Sequence, residues 1–231
     1  MKGFIGIFKQ RPIFIMLVFM VLYGLGSSVS SGLNMYFYTY IINDLALMGT
    51  VTAISVIGLL PGVALSRTMI LKLGTKKVII LAALITAISL AVRLAAPASV
   101  PLIYITTVTS GFGLGFFAPV APLLSAENID YIEYKLHIRS EASMGTISTF
   151  ASKLGSGVGG ALPGYMLYLT GYNQELDVQP ASVNTGIILM SLLVPAVLYL
   201  LGVVIFQKGY NVDFSQVSAT LAERRAKLES E

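Results

Sequence analysis

Six apolar segments, each long enough to cross a lipid bilayer, constrain the fold of this chain more than any other feature. A transmembrane helix needs about 20 predominantly apolar residues. The six segments are 13–42, 46–71, 78–97, 101–124, 142–170 and 184–206. Only 11% of the 231 residues are charged, against about 25% in soluble proteins. The sequence therefore predicts an all-α membrane protein with six transmembrane helices, followed by a tail over 207–231.

The first segment has a second interpretation. Lys2, Lys9 and Arg11 precede an apolar stretch, and the small residues of GSSVSSG resemble the cleavage region of a signal peptide. However, the apolar and aromatic run continues without a break through NMYFYTYII. This continuity favours an uncleaved membrane span.

The positive charges predict the orientation. Thirteen Lys and Arg residues fall in the N-terminal stretch, in the connections after the second and fourth spans, and in the tail. Only Arg93 falls on the other side, and Lys153 lies within a span. Because positively charged loops remain in the cytoplasm, we expect a cell-membrane protein with both termini cytoplasmic. The net charge of +4 therefore reflects sidedness and does not indicate nucleic-acid binding.

The sequence offers little for catalysis. It contains no cysteine and a single histidine, His137, so neither thiolate chemistry nor a histidine-based metal site is expected. No nucleophile–base pair or metal-ligand cluster is evident. A membrane enzyme is therefore the weaker alternative, and we expect no catalytic residue, no metal and no cofactor.

A glycine run within the fifth span has two interpretations. Gly155, Gly157 and Gly160 match the GxGxxG pattern of dinucleotide sites, but that pattern needs a preceding strand and a soluble βαβ unit. Within an apolar helix, glycines four residues apart let two backbones approach closely. The spacing Gly155/Gly159 and Gly160/Gly164 therefore predicts tight helix packing.

Packing does not explain Lys153. It lies about eleven residues from the cytoplasmic end of the span, roughly 16 Å at 1.5 Å per residue. A lysine in a membrane costs about 2.5–3.5 kcal/mol on insertion scales, and such residues usually face a cavity or a partner. Thr149, Ser152 and Ser156 share its helical face. A side chain that snorkels to the surface is the alternative to a cavity.

Two further polar stripes occur in other spans. Ser27, Ser31, Asn34 and Tyr38 recur at intervals of four, three and four residues in the first span. Thr106, Thr107 and Ser110 lie in the fourth. Interhelical hydrogen bonds would explain each stripe alone. Polar faces on three spans together predict a hydrated pathway.

The connection after the fourth span is rich in charge. Within residues 126–141, acidic and basic side chains are interleaved, namely Glu127, Asp130, Glu133, Lys135 and Arg139. Paired carboxylates can carry out acid–base hydrolysis, but these lie at the membrane edge beside their own counter-charges. An ion-pair cluster is the simpler interpretation. In the tail, Val217, Leu221 and Leu228 predict a short amphipathic helix.

The stretch IDYIEYKLHIRSEASMGTISTFASKLGSGVGG, followed by Gly171 and Tyr172, resembles the glycoside-pentoside-hexuronide:cation symporter family of the major facilitator superfamily. The resemblance extends more weakly over the first three spans, including YFYTY near residue 36 and GTKK at 74–77. It covers the second half of a twelve-span transporter. The implied fold is one six-helix half bundle, residues 1–206, that begins in the central linker.

The resemblance implies a sodium- or proton-coupled sugar symporter that works by alternating access. The chain would need a complementary N-terminal bundle, or a second copy of itself, and the absent half would hold most of the coupling-cation site. The substrate cavity would be lined by Lys153, Thr149, Ser152, Asn34, Ser31 and Tyr38. The cytoplasmic gate would be formed by Glu127, Asp130, Glu133, Lys135 and Arg139. The alternatives are half of a lysolipid-type transporter and a six-span structural or regulatory protein.

Overall fold

The computed structural model describes residues 6–138, 141–176, 178–212 and 214–229. Of the residues singled out above, Lys2 and Arg139 lie outside these ranges, and so does the side chain of Leu228. The described part of the chain is helical and contains no strand.

Seven helices account for almost all of the described residues. Helix α1 is Arg11–Tyr36 and continues as a π-helical turn, Phe37–Ile42. Helices α2, α3, α4 and α5 are Ala46–Leu73, Thr75–Arg93, Val100–Leu136 and Glu141–Thr170. Helix α6 is Ala181–Gly209, with a π-helical turn at Leu189–Leu193. Helix α7 is Phe214–Glu229, in the tail.

Five helices among the described residues are long and apolar enough to cross a membrane, namely α1 with its π-helical turn, α2, α3, α4 and α6. The predicted all-helical, multi-pass membrane protein is therefore confirmed. Helix α5 has 30 residues, but it is not among the five. Its serines, its glycines and Lys153 make one side of this helix polar.

Prolines inside the helices do not divide them. Pro61 lies within α2, and Pro119 and Pro122 lie within α4. Helix α4 runs 37 residues and ends at His137, which adopts a left-handed conformation with φ of 56°. The acidic stretch after residue 124, predicted as a connection, therefore continues α4 as helix to Leu136.

Pro195 shows how the bundle accommodates a proline. Proline has no N–H, so the carbonyl four residues earlier, that of Ser191, loses its intrahelical partner. A hydroxyl from another helix replaces it, because Ser30 Oγ of α1 donates to the Ser191 carbonyl oxygen at 3.1 Å. The π-helical turn Leu189–Leu193 lies directly before this proline. In membrane proteins, backbone groups freed by a proline generally form hydrogen bonds with a neighbouring helix instead.

Glycines set the closest helix contacts. Helices α1 and α5 run parallel, with Gly24 against Gly155 and Gly32 against Pro163. Helices α2 and α4 also run parallel, and an added Cβ at Gly58 or Gly62 would collide with the α4 backbone. Because a side chain at these positions would force the helices apart, the glycines fix which helices are neighbours.

Aromatic side chains join α1, α4 and α6 in the half of the bundle that contains the start of α1 and the end of α6. The ring centroids of Tyr23 and Phe117 are 3.9 Å apart, and those of Phe19 and Phe206 are 5.0 Å apart. Tyr199 stacks on Tyr23 at 4.7 Å. These rings belong to the largest buried cluster, which also contains most of the buried face of α3.

The tail helix packs against the C-terminal end of α4. Val217 and Leu221 of α7 are buried. Arg224 lies 5.7 Å from the centroid of the Tyr134 ring and 2.9 Å from Nδ1 of His137. The tail therefore covers the last turn of α4.

Candidate functional site

A hydroxyl-lined groove of about 330 Å³ opens in the middle of the bundle. Five helices contribute to it: α1, α2, α3, α4 and α6. Its polar lining residues are Tyr23, Ser27, Ser30, Ser31, Asn34, Ser55, Thr86, Ser110 and Tyr199. The structure thus brings Ser31 and Asn34 together with Ser110 of the predicted stripe on the fourth span.

The polar side chains of the groove differ in whether they already have a hydrogen-bond partner within the bundle. Thr86 donates to the carbonyl of Ala82, and Ser30 donates to Ser191, so both satisfy the backbone. Within the described residues, the side chains of Ser27, Ser31 and Asn34 have no hydrogen-bond partner. An asparagine amide and two hydroxyls can donate to and accept from several hydroxyl groups of a ligand. This edge of the groove is therefore chemically suited to a polyhydroxylated compound.

Helix α5 has three distinct faces. Ala151, Gly155 and Gly159 are buried against α1. A second face is exposed and apolar, with Phe150, Leu154, Val158, Tyr165 and Leu169. The third face is exposed and polar, with Thr149, Ser152, Lys153 and Ser156. Lys153 thus lies neither in the helix contact nor in the middle of the apolar face.

Thr149 lines a second recess, of about 500 Å³, between α4, α5 and α1. Ser125 of α4 and Ser148 of α5 face each other there at 3.5 Å. The polar face of α5 therefore turns toward α4, on the side of the bundle where few contacts cover either helix. Ser152 and Lys153 lie farther along this face.

Tyr38 lies apart from the other predicted cavity residues. It is 2% exposed and packs with Val51 and Ile103 at the end of the bundle away from the chain termini. Arg93 lies beside its phenol, and the guanidinium of Arg93 is 4.7 Å from the centroid of the Phe37 ring. Tyr38 shares the periodicity of Ser31 and Asn34, but the structure does not bring it to the groove.

The predicted gate residues occupy the last turns of α4. Glu127 accepts a hydrogen bond from Thr75 at the start of α3. Asp130 and Glu133 follow on the same helix and are half-buried. Lys135 Nζ lies 5.3 Å from the centroid of the Tyr134 ring. Arg139 lies outside the described residues, so its relation to the acidic side chains remains a prediction.

A buried polar contact between Asn128 and Tyr210, near the end of α4, was not predicted from the sequence. Asn128 is fully buried, and its amide donates to the Tyr210 hydroxyl at 2.8 Å and to the Leu124 carbonyl at 2.8 Å. Burial raises the pKa of the Tyr210 phenol, so the hydroxyl stays protonated. The pair connects the end of α6 to α4. Sequence periodicity identified neither residue, because neither belongs to a polar stripe with helical spacing.

The described residues contain no group of three or more His, Cys, Asp or Glu side chains that could hold a metal ion. The polar groups of the groove and of the polar face of α5 are hydroxyls, an amide and an ammonium. Such groups bind and orient a ligand by hydrogen bonds and charge.

Comparison with known proteins identifies relatives that move solutes across membranes. The family described as MFS/sugar transport protein matches residues 1–213. Over 166 residues, 71% of this chain and 34% of the relative, the chain is 25% identical to the isoprimeverose transporter of Lactiplantibacillus pentosus. Over 221 residues, 94% of this chain and 48% of the relative, it is 26% identical to the glucuronide carrier protein homolog of Escherichia coli K12.

A third relative is named as a symporter. The chain is 28% identical to the inner membrane symporter YicJ of Escherichia coli K12 over 105 residues, 46% of this chain and 23% of the relative. The chain matches between a third and a half of the length of the first two relatives.

Proposed function

This chain belongs to the MFS/sugar transport protein family, and we propose that it supplies one six-helix half of a sugar transporter. The observation that carries the proposal is the groove with free hydroxyl and amide groups at Ser27, Ser31 and Asn34, in a bundle whose α5 also exposes a polar face. The resemblance implies that a complementary N-terminal bundle, or a second copy of this chain, covers that side.

In this proposal helix α5 also crosses the membrane, which raises the number of spans from five to six. Its polar face makes it less apolar than the other five, as expected for a helix that lines a cavity and not only lipid. Six spans place both termini on the same side. The distribution of Lys and Arg then assigns that side to the cytoplasm, and the membrane is the cell membrane.

The proposed substrate is a sugar or glycoside. Two of the relatives are named as an isoprimeverose transporter and a glucuronide carrier homolog, and both names denote glycosides. Ser31 and Asn34 would bind ring hydroxyls from one side of the cavity. Lys153, with Thr149 and Ser152, would bind from the other side, because an ammonium group donates three hydrogen bonds.

Transport would follow the alternating-access scheme, in which two bundles rock around a site near the middle of the membrane. Sodium or proton coupling is proposed by resemblance, with most of the cation site in the complementary bundle. The charged residues of the last turns of α4, Asp130, Glu133 and Lys135, would close the cytoplasmic side together with Glu127 and Arg139. Charge pairs at such an edge can break and form between the two halves.

Uptake by reconstituted protein tests the proposal. The purified chain would be placed in liposomes alone, and also together with the part of the Escherichia coli glucuronide carrier homolog that lies outside the aligned stretch. An inward sodium or proton gradient would drive labelled glycosides and, in a parallel assay, labelled lysolipids. We expect glycoside accumulation only with the complementary part. Accumulation by the chain alone would show that a second copy of the chain takes the place of the complementary bundle. Lysolipid uptake without glycoside uptake would contradict the proposal.

Lys153 provides the site-specific version of this test. We expect Lys153→Ala to lower glycoside uptake about tenfold or more, the effect of losing roughly 1.4 kcal/mol of binding, while membrane insertion stays normal. Lys153→Arg should restore only part of the activity, because a planar guanidinium does not replace a compact ammonium. Lys208→Ala, at the cytoplasmic end of α6, is the matched control. Normal uptake by Lys153→Ala would assign the lysine to snorkelling.

A further inference from the structure

A small pocket lined by three tyrosines lies at the end of the bundle away from the chain termini. Its volume is about 210 Å³, and its lining residues are Met35, Tyr36, Thr39, Tyr40, Tyr172 and Gln174. The rings of Tyr36 and Tyr172 meet edge to face at 5.5 Å, and those of Tyr40 and Tyr172 at 5.7 Å. The phenol oxygens of Tyr40 and Tyr172 are 3.0 Å apart and share a hydrogen bond.

One wall of the pocket is a loop with a defined conformation. Helix α5 ends at Gly171, with φ of 84°, and the Tyr172 N–H bonds back to the Leu167 carbonyl at 3.0 Å. This is the Schellman arrangement that glycine allows. The buried side chain of Gln179 then donates to the Asn173 carbonyl at 2.7 Å and accepts from the Asn173 N–H at 3.2 Å. Tyr172 and Gln174 are thus presented by a fixed loop.

The opposite wall is the π-helical turn Phe37–Ile42. Such turns interrupt the regular register of a helix and are frequent at functional sites. Thr86, Thr106 and Thr170 each donate to the carbonyl four residues earlier. Thr39, in the π-helical turn, does not. Its Oγ1 is buried without a hydrogen-bond partner while its side chain lines the pocket.

These features differ from those of tyrosines that anchor a helix at the membrane surface. Anchoring tyrosines stand singly at the interface between lipid and water, and Tyr165 and Tyr168 of α5 have that character, at 63% and 78% exposed. Tyr36, Tyr40 and Tyr172 instead converge on one space. The hydrogen bond with Tyr40 raises the pKa of Tyr172 to about 12, so the Tyr172 phenol stays protonated at neutral pH.

We propose that this pocket, the tyrosine vestibule, is an outer binding site for one sugar ring of a glycoside, separate from the central cavity. The apolar C–H faces of a sugar ring pack against aromatic rings, while the hydroxyls on its edge need hydrogen-bond partners, here Thr39 and Gln174. Aromatic walls with a few placed polar groups are the usual composition of a small-molecule site. The choice of ligand rests on the proposed function.

Saturation-transfer NMR on the full chain in lipid nanodiscs tests the vestibule. The probes are methyl β-D-glucoside, methyl β-D-xyloside and methyl β-D-glucuronide. We expect saturation to pass from tyrosine protons to the ring protons of at least one probe. Tyr36→Ala should weaken binding about tenfold, as loss of one aromatic stacking partner does elsewhere. Thr39→Val, which keeps the side-chain shape, should weaken it severalfold. Tyr165→Ala is the matched control and should bind as the wild type does.

The outcomes separate this proposal from the proposed function. Weaker binding by Tyr36→Ala and Thr39→Val, with wild-type binding by Tyr165→Ala, supports the vestibule. Signal retained in Tyr36→Ala but lost in Lys153→Ala places the sugar in the central cavity, which overturns the vestibule and leaves the transporter proposal intact. An absence of saturation transfer to all three probes with the wild-type chain overturns the vestibule as well.

Discussion

Some hydroxyl groups in the groove stabilise the bundle by hydrogen bonds, and others are free to bind a sugar. Ser30 and Ser31 are neighbours in sequence, yet Ser30 donates to the Ser191 carbonyl freed by Pro195, whereas Ser31 is exposed. A substitution at either residue would reduce transport for a different reason. Stability measurements can separate the two roles.

We predict that Ser30→Ala destabilises the bundle by about 1 kcal/mol, the usual contribution of one hydrogen bond whose loss leaves a buried partner unsatisfied. The measurement is the apparent melting temperature of the detergent-solubilised protein by size-exclusion chromatography. Ser27→Ala, on the same helix but exposed, is the control and should melt as the wild type does. Equal melting temperatures for all three proteins would show that water or another group satisfies the Ser191 carbonyl.

Periodicity within α1 predicted two residues of the groove, whereas α5, which carries Thr149, Ser152 and Lys153, contributes no residue to it. Ser31 and Asn34 follow the helical repeat of α1, and the structure gathers them in the groove. Tyr38 follows the same repeat but is buried among side chains of α2 and α4. Burial at the end of a helix depends on where neighbouring helices end, and no pattern within α1 carries that information. Thr86 and Tyr199 line the groove from helices with no polar stripe, so no sequence pattern predicted them.

At the scale of the helices, two of the four glycines predicted to pack closely in α5 contact α1, and the other two do not. An added Cβ at Gly155 would lie 2.8 Å from the Val21 carbonyl oxygen, and one at Gly159 would lie 2.7 Å from that of Leu25. An added Cβ at Gly160 or Gly164 would meet nothing within 4 Å. The close packing predicted for the first pair is therefore confirmed. For the second pair it is wrong within this bundle, because those glycines face away from α1.

We predict that Gly155→Leu and Gly159→Leu destabilise the α1–α5 contact by about 1–3 kcal/mol, the usual cost of overpacking, and lower the yield of folded protein. Gly160→Leu and Gly164→Leu add the same bulk to the same helix and are the matched controls. Yield after membrane extraction, measured by monodisperse elution, is the readout. If all four variants elute with equal yield, the α1–α5 contact is not as close as the structure has it.

Helix ends were harder to predict than helices. Hydropathy ended the fourth span at residue 124 because the following stretch is acidic, but the helix continues to Leu136. Charge marks where a helix leaves the lipid, and backbone geometry marks where it stops. The stop at His137 requires a left-handed residue, which the sequence signals only weakly when that residue is not glycine or asparagine. The π-helical turns in α1 and α6 had no sequence signal beyond Pro195.

At the scale of the whole molecule, the proposed orientation has a direct consequence for surface labelling. The chain has no cysteine, so single cysteines report one position each. Lys135 at the end of α4 and Glu175 in the α5–α6 loop are both exposed and lie at opposite ends of the bundle. We predict that a membrane-impermeant maleimide labels Glu175→Cys in intact cells and labels Lys135→Cys only after the cells are opened. Labelling of Lys135→Cys in intact cells would contradict a cytoplasmic position for this end.

One transporter half would contact lipid on one side and an aqueous cavity on another, and the faces of α5 differ in polarity accordingly. Helix α5 presents an apolar face with Leu154 and Val158 and a polar face with Ser152, Lys153 and Ser156. Lipid accounts for the first face. Water and substrate account for the second only if a complementary bundle covers it, and this is the central claim of the proposed function.

Cysteine accessibility along α5 tests that claim most directly, in the chain reconstituted with the complementary bundle. Ser152→Cys and Ser156→Cys should react with a membrane-impermeant maleimide, and added glycoside should slow their reaction. Leu154→Cys and Val158→Cys, each two residues from a tested serine but on the apolar face, should not react. Reaction of neither set, or equal reaction of both sets, would contradict an aqueous cavity along the polar face of α5.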